Sequence, residues 1–347
     1  MKKAKLQKLI ISGLLILLAS CTTVLYTTVD VLKPAKVAFD ADATKVLLVN
    51  NTVAQPEDYG HITEFYNERA RNIKLNTDSL PIFTLSVLAQ ELQDNEFFNN
   101  VSLETNSVNE DKDFFTVNAL TPKKVDELCQ KYGADVIIAL DRLKVNDKIS
   151  EELDERTYTY YMMLELRFDS YWTIHYPGGK TFQSMNFKDT VYWNAESYKR
   201  KRALLELPRR EDALIDGALY VGKNTVKRFV PYWDKADRYF FSNSDKYMKQ
   251  GIDSMYVRSW DAAIDIWKKG LERNANDTKS KLANNISVAY EINGDIENAL
   301  VYAKMAYEYA VNDILQNYDH YVDIAQHYQD VIERKKEIQL LNTQIGN

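Results

Sequence analysis

The stretch TYTYYMMLELRFDSYWTIHY, residues 157–176, decides the fold of the amino-terminal half of the chain. Most even positions from Tyr158 to Tyr176 are apolar, whereas odd positions include Glu165 and Arg167. This period of two is typical of an antiparallel strand with one face in the core and the other in water. Because the run is longer than an ordinary strand, we expect a bulge or bend within it.

Further strands are predicted on both sides of this stretch. A turn at 177–180 leads into a returning strand at 181–193, which makes a long antiparallel hairpin. Upstream, the apolar runs at 45–53, 100–104 and 135–145 each predict a buried strand.

Three helices are predicted among these strands, with caps at Ser79, Thr121 and Asp212. The second is the clearest, because Pro122 follows its cap and Gly133 ends it. Cys129 lies on its apolar face, so we expect a small buried side chain there. Strands alternating with helices indicate βαβ units. We therefore predict an α/β or α+β domain over residues 44–235, with a mixed sheet, packed helices and the long hairpin.

This order of elements, β-α-β-α-β followed by a hairpin and a helix, resembles that of several periplasmic domains. These are the domains of TolB amino-terminal type and those of the curli-secretion and penicillin-binding-protein-activator lipoproteins. The resemblance lies in element order, so it implies a fold and transfers no site residue.

The last third of the chain, residues 237–347, shows a repeated helical pattern. The small residues Gly251 and Ala263 stand where two helices of a tetratricopeptide repeat would cross, and Ala283 and Ala299 repeat the pattern. Ala263 and Ala299 are 36 positions apart, close to the 34-residue period of that repeat. An apolar stripe beyond them predicts a capping helix. The sequence therefore predicts an all-α, tetratricopeptide-like domain.

The amino terminus has the pattern of a bacterial lipoprotein signal. Four lysines precede an apolar run of about 11 residues, which is too short to span a bilayer. The run ends in Leu-Ala-Ser-Cys, so we predict cleavage between Ser20 and Cys21 and covalent lipid on Cys21. Residues 1–20 are then the signal peptide and 21–43 a tether. Thr22 after the cysteine resembles an outer-membrane address, and we expect a palmitate-bearing, outer-membrane, periplasm-facing protein.

Composition restricts the possible functions. Without the signal lysines the chain has 40 basic and 50 acidic side chains, a net charge of −10. An acidic surface repels phosphate backbones, so nucleic acid is not an expected partner. One cysteine remains once Cys21 is lipidated, so no intramolecular disulfide is predicted.

Catalytic and metal-binding motifs are not found in the sequence. It has no HExxH, paired-cysteine, calcium-loop, G-x-S-x-G or S-x-x-K pattern. We therefore expect no enzyme activity and no cofactor apart from the lipid on Cys21. The alternative is a hydrolase, or a glycan- or small-molecule-binding protein, with a site on the α/β domain near Asp169, His175 and Trp193.

The signal, the GADVIIALD strand, the WTIHYPGGKTF hairpin and the two repeats together resemble a family of uncharacterised Bacteroidota outer-membrane lipoproteins. That family has no established activity, so the resemblance implies no catalytic residue. Our leading hypothesis is a lipid-anchored scaffold whose repeats bind another envelope protein or peptide. The groove residues expected for that partner are Tyr256, Asn284, Asn285 and Tyr290; the oligomeric state is left open.

Overall fold

The computed structural model describes residues 23–111, 113–312 and 318–345, except the side chains at 181, 182 and 319. The chain divides into two compact units. One, the sheet unit, is Ala35–Val230, and the other, the helical unit, combines Met1–Pro34 with Pro231–Asn347. A sheet-rich region followed by a helical region confirms the predicted mixed α and β class. The predicted boundary at residue 235 is displaced, because the last strand belongs to the helical unit.

The sheet unit contains seven strands and four helices within its described residues. Its elements, in chain order, are β2 (Lys45–Asn50), β3 (His61–Glu64), β4 (Arg71–Asn72), α1 (Leu80–Asn95), β5 (Asn100–Glu104), α2 (Pro122–Tyr132), β6 (Val136–Asp154), β7 (Thr159–Tyr176), β8 (Lys180–Ser197), α3 (Arg200–Glu206) and α4 (Arg210–Phe229). The predicted caps Ser79 and Thr121 precede α1 and α2, and Gly133 ends α2 with a φ of 65°. Asp212 does not cap α4 as predicted; it lies in the first turn, where its charge favours the helix amino terminus.

The sheet is built around β6, which is long enough to pair with two parallel strands in succession. Its first part pairs with β2 and its second part with β3, while β7 runs antiparallel along its other edge. The order is β4-β3-β6-β2-β5, extended through β7 to β8. The predicted mixed sheet and long hairpin are therefore confirmed.

A side-chain amide fills the gap that β2 and β3 leave along β6. Gln55 accepts a hydrogen bond from the backbone N–H of Val145 (2.8 Å) and donates one to its carbonyl oxygen (2.7 Å). The carboxamide thus substitutes for a strand residue and satisfies two buried backbone groups.

Two irregularities interrupt the long hairpin. The β6–β7 register shifts between Leu140 and Arg142, and the β7–β8 register shifts between Ile174 and His175. At the second shift the extra residue is 182 on β8, so the bulge expected within residues 157–176 lies instead on the strands that flank β7. The first leaves Asp141 as the extra residue, and a bulge of this kind re-aims a side chain.

Helices cover the two faces of this sheet unequally. α1 and α4 pack on one face, where Leu164, Leu166 and Phe168 of β7 are buried. On the other face, α2 packs against β2 and the first residues of β6. Cys129 of α2 is 6% exposed in that second cluster, and burial raises the pKa of its thiol, so the prediction of a buried cysteine is confirmed.

The helical unit contains two strands that are far apart in the chain, followed by five helices within its described residues. Its elements are β1 (Thr23–Lys33), β9 (Tyr232–Ser242), α5 (Lys246–Tyr256), α6 (Trp260–Leu271), α7 (Asn276–Ile292), α8 (Ile296–Val311) and α9 (Tyr318–Gln344). Successive helices of the series α5 to α9 pack on one another.

The tether predicted at 21–43 is wrong over residues 23–33, which form β1. This strand pairs antiparallel with all of β9, from Thr23 opposite Ser242 to Lys33 opposite Tyr232. Arg334 of α9 also donates a hydrogen bond to the carbonyl oxygen of Leu32 (2.6 Å). The strand was missed because its partner lies about 200 residues away and its threonines resemble those of a linker.

Candidate functional site

The candidate site lies on the α2-side face of the sheet, at the end where β6 turns into β7. Strand register aligns Glu152, Tyr161 and Glu196 in one row across β6, β7 and β8. The next row aligns Ser150, Met163 and Asn194. Residues in register point to the same face of a sheet, so the two rows form one surface. We call this surface the Glu–Tyr face.

A groove of about 1130 Å³ runs over the Glu–Tyr face and the segment that follows β3. Two tyrosines line the groove: Tyr161 is 42% exposed and Tyr66 is 36% exposed. One lysine, Lys148, lines the groove. The lining also includes six glutamates: Glu64, Glu68, Glu151, Glu152, Glu196 and Glu206.

Arg200, at the start of α3, holds the segment after β3 in position. It donates to Glu68 (2.7 Å) and to Glu151 (2.9 Å), and its guanidinium lies 4.7 Å from the ring centroid of Phe65. Glu151 is 1% exposed at its side chain, so this ion pair is partly shielded from water. Arg200 therefore links the segment after β3 to β6.

These contacts fix the charge of the groove wall. The hydrogen bond from Arg200 lowers the pKa of Glu68, which remains an anion at neutral pH. Tyr66 donates to Glu155 (2.8 Å), and this bond to a carboxylate raises the pKa of the tyrosine. The phenol is consequently a neutral donor, and its ring is exposed beside the carboxylates.

Two carboxylates of the groove have no cationic partner among the residues that the structure describes. Glu64 contacts Lys148, and Glu206 contacts Arg202 (3.0 Å). Within the described ranges, neither Glu152 nor Glu196 has a lysine, arginine or histidine nitrogen within 4 Å. They flank Tyr161 on both sides. The row thus offers two negative charges around one aromatic ring, an arrangement that favours a cationic group.

A second polar cluster surrounds the bulge at Asp141. Its carboxylate accepts hydrogen bonds from Thr173 (2.5 Å) and from Asn51 (2.7 Å). Burial raises the pKa of Asp141 to about 6 and lowers that of His175, two residues beyond Thr173, to about 4. A groove of about 460 Å³ at the carboxyl end of β2 is lined by Asn51 but not by Asp141. Asp141 is 4% exposed and each of its carboxylate oxygens accepts a hydrogen bond, which favours a structural role.

A buried His–Asp–Arg cluster has residue types common in active sites. Asp147 of β6 contacts the Nδ1 atom of His61 and, at 2.6 Å, the guanidinium of Arg210. Arg210 also donates to the hydroxyl of Thr63 (2.8 Å). His61 and Asp147 are 0% exposed at their side chains, so no substrate can reach them. The cluster instead fastens the start of α4 to β3 and β6.

The four residues predicted for a groove on the repeats do not share one surface. Asn284 and Asn285 are both 0% exposed, so their assignment to a partner groove is wrong. The amide of Asn285 pairs with both backbone groups of Phe241, each at 2.8 Å, and attaches α7 to β9. Tyr256 is 66% exposed at the end of α5. Tyr290 is half-buried and accepts a hydrogen bond from Lys268 (2.6 Å).

The residues of the alternative site are also separate. His175 and Asp169 lie six positions apart on β7, about 20 Å along a strand. We expected His175 to lie on the solvent-exposed face of its strand, but it is buried, with 1% exposure. Trp193 packs on the opposite face, in the core beneath α1 and α4. The predicted lipidation and cleavage residues, Cys21 and Ser20, lie outside the described residues.

Sequence reasoning missed the Glu–Tyr face. The polar residues at odd positions of β7 predict a solvent-exposed face, and Tyr161 is one of the odd positions. Which glutamates stand beside it depends on the register of β6 and β8. The sequence feature that could have indicated this face is the group of glutamates at 151–155, immediately before the predicted strand.

Neither a metal cluster nor a membrane-spanning helix is found in the part of the chain that the structure describes. In those ranges, no three His, Cys, Asp or Glu side chains are grouped so that they could hold a metal ion. Nor does any described helix combine the length and apolarity needed to cross a bilayer.

Comparison with known protein families defines the class of this chain. It belongs to the family described as a domain of unknown function (DUF8603), whose model matches residues 43–241, more than half of the chain. A second model, also a domain of unknown function (DUF6340), matches residues 249–334. The first match extends over most of β9 but leaves out β1.

Similarity to individual proteins adds little. No curated protein matches the chain. A solved structure described as the crystal structure of an uncharacterized protein is similar over 54% of this chain and 92% of its own. The two share 8% sequence identity with a TM-score of 0.23, which carries no inference about fold.

Proposed function

We propose that this protein is a lipid-anchored scaffold of the cell envelope that binds a basic segment of another protein. The observation that supports this proposal is the groove on the sheet unit, where six glutamates surround exposed tyrosines. As in the hypothesis made from the sequence, we propose a non-enzymatic binding protein. The proposed binding surface is now the Glu–Tyr face and not the repeats.

The chemistry of the Glu–Tyr face suits a lysine or arginine side chain. Such a cation over the ring of Tyr161 would gain about 0.5–1 kcal/mol at an exposed site. Glu152 and Glu196 lie on both sides of that ring, and they have no competing cation among the described residues. Electrostatic attraction of this kind accelerates association and depends on ionic strength.

Lipid anchoring is proposed from the sequence alone. The Leu18–Cys21 motif supports lipidation of Cys21 and an outer-membrane, periplasm-facing location. Replacement of Cys21 by alanine should abolish incorporation of labelled palmitate and release the chain from membrane fractions. Normal labelling of the C21A variant would contradict the proposed anchor.

We also propose that the helical unit is a tetratricopeptide-like array. Ala263, Ala299 and Ala303 are at most 1% exposed, and Gly251 is buried against Trp267. Small buried residues at the 36-residue spacing support close helix crossing in both copies. This unit would serve as the attachment between the anchor and the sheet unit.

The binding proposal can be tested with a fluorescent oligolysine peptide as the probe. Anisotropy with the full chain should give saturable binding that weakens as salt is raised. Changing Glu152 and Glu196 together to glutamine should weaken binding about 2- to 30-fold, since each of the two exposed ion pairs contributes about 0.2–1 kcal/mol. Tyr161→Ala should weaken it further by removing the ring.

A matched control is Glu127→Gln, which removes an exposed carboxylate on α2, outside the groove. Its affinity for oligolysine should equal that of the parent chain. Equal weakening by E127Q would mean that net charge alone attracts the peptide, and the site would be rejected. Binding of neutral oligosaccharides that depends on Tyr161, without binding of oligolysine, would favour the glycan-binding alternative.

A further inference from the structure

An exposed apolar surface surrounds the first residues of β1. Tyr26 is 80% exposed, Tyr256 is 66% exposed, and Val257, in the turn after α5, is 74% exposed. Met255 and Trp260 join Tyr26 and Tyr256 in the lining of a groove of about 400 Å³. We call these five residues the amino-terminal patch. All of them belong to the helical unit.

Local structure holds the patch in place. The ring of Trp260 stacks on buried Phe240, with centroids 6.0 Å apart and an interplanar angle of 16°. The turn between α5 and α6 is closed by hydrogen bonds from Arg258 to Met255 (2.8 Å) and from Ser259 to Ser254 (2.9 Å). The turn therefore presents Val257 to solvent in a defined conformation.

The charge of the patch differs from that of the chain as a whole. Among the described residues that line its groove, one side chain, Arg258, is charged. The mature chain, in contrast, carries a net charge of −10. Aromatic and aliphatic side chains beside a single cation have the composition of surfaces that lie in the interface of an anionic bilayer.

The position of the patch in the chain indicates what covers it. The start of β1, Thr23, is two positions beyond Cys21, with one residue between them. Fully extended, these two positions span about 7 Å and the five positions to Tyr26 about 17 Å, so a lipid on Cys21 would begin close to the patch. With 11 residues of β1 paired to β9, little chain is left to hold the helical unit away from the membrane.

We propose that the amino-terminal patch lies in the phospholipid interface, so that the helical unit rests on the membrane. This proposal rests on the proposed lipidation of Cys21. In it, Tyr26, Tyr256 and Val257 enter the boundary between headgroups and acyl chains, and Arg258 contacts lipid phosphate. The lipid and the patch then form a two-part anchor, which holds more firmly than either part alone.

The test uses the full lipid-anchored chain reconstituted into phosphatidylethanolamine–phosphatidylglycerol vesicles. Single variants Tyr256→Cys and Tyr26→Cys are labelled with an environment-sensitive fluorophore, and lipids brominated on the acyl chains serve as quenchers. Val301→Cys, on α8 and 55% exposed, is the matched control. The parent chain supplies the background from buried Cys129. At 256 and 26, emission should shift to the blue and be quenched several-fold more than at 301.

The outcomes separate this proposal from the anchor on which it rests. A chain that floats with vesicles while the label at 256 remains in water would overturn the patch and leave the anchor intact. A chain that does not float would overturn both. Shielding of the label at 256 that persists in detergent would identify a second copy as the partner and reject the bilayer.

Discussion

Burial shifts the pKa values of Asp141 and His175 in opposite directions, so the two residues change the free energy of unfolding with pH in opposite senses. The raised pKa of Asp141, about 6, means that the native state binds more protons than the unfolded state between about pH 4 and 6. The free energy of unfolding therefore falls as pH rises through that window. The lowered pKa of His175, about 4, has the reverse effect between about pH 4 and 6.5.

Replacing Asp141 by asparagine should remove the first of these contributions. The Asn side chain can still bond with Asn51 and Thr173 but does not ionise. We expect the stability of D141N relative to the parent chain to rise by about 2–3 kcal/mol between pH 4 and pH 8. Chemical denaturation at each pH would measure this difference, and a constant difference would show that the carboxyl group titrates normally.

A substitution at Asn285 tests whether its side chain stabilises the fold, as its hydrogen bonds to Phe241 indicate. Asn285→Ala should leave both buried backbone groups of Phe241 without their amide partner, which costs about 1–3 kcal/mol each. Asn293→Ala, an exposed change at the end of the same helix, should cost under about 1 kcal/mol. Thermal denaturation would compare the two variants. Equal melting temperatures would mean that the Asn285 amide contributes no net stability.

At the scale of elements, close helix crossings depend on glycine. A Cβ atom at Gly251 of α5 would overlap the indole of Trp267 in α6. A similar overlap would arise between Gly222 of α4 and the carbonyl oxygen of Thr84 in α1. These contacts set the spacing of two helix pairs, one in each unit.

Gly251→Ala should therefore destabilise the helical unit. In an open helix this change stabilises by about 0.5–1 kcal/mol, whereas overpacking costs about 1–3 kcal/mol. We expect a lower denaturation midpoint for G251A and a small rise or no change for Asp253→Ala, an exposed site on the same helix. A stabilised G251A variant would contradict the close crossing.

Elements with strong local signals could be predicted from the sequence. Helix α2 has its cap, proline and terminal glycine within a few residues, and the strand at 135–145 is a continuous apolar run. Long-range information was missing: the partner of β1, the register that unites Glu152 with Tyr161 and Glu196, and the burial of Asn285. Each depends on residues distant in sequence, which local patterns do not encode.

For the whole molecule, the pairing of β1 with β9 makes the sheet unit an insertion. Lys33 lies directly opposite Tyr232, so the chain leaves the helical unit and returns to it at adjacent positions. Within the sheet unit, the N–H of Lys36 likewise bonds to the carbonyl of Arg228 (3.0 Å). Each unit thus has its ends close together, as expected for separable domains.

Replacing residues 34–231 by Asn-Gly should give a helical unit that folds alone. A two-residue turn of this kind joins directly paired antiparallel strands. The fragment 232–347 without β1 should melt at a lower temperature and associate through the open edge of β9. Circular dichroism and size-exclusion chromatography would compare the two fragments. Identical behaviour would show that β1 is dispensable.

The distance between β1 and β9 along the chain also orders events during biogenesis. Residues 23–33 leave the ribosome about 200 residues before their partner strand. At about 5–20 residues per second, that interval lasts about 10–40 s. All residues of the sheet unit are made in this interval, whereas the helical unit must wait for its second strand. Strand β1 is thus made first and is among the last to be paired.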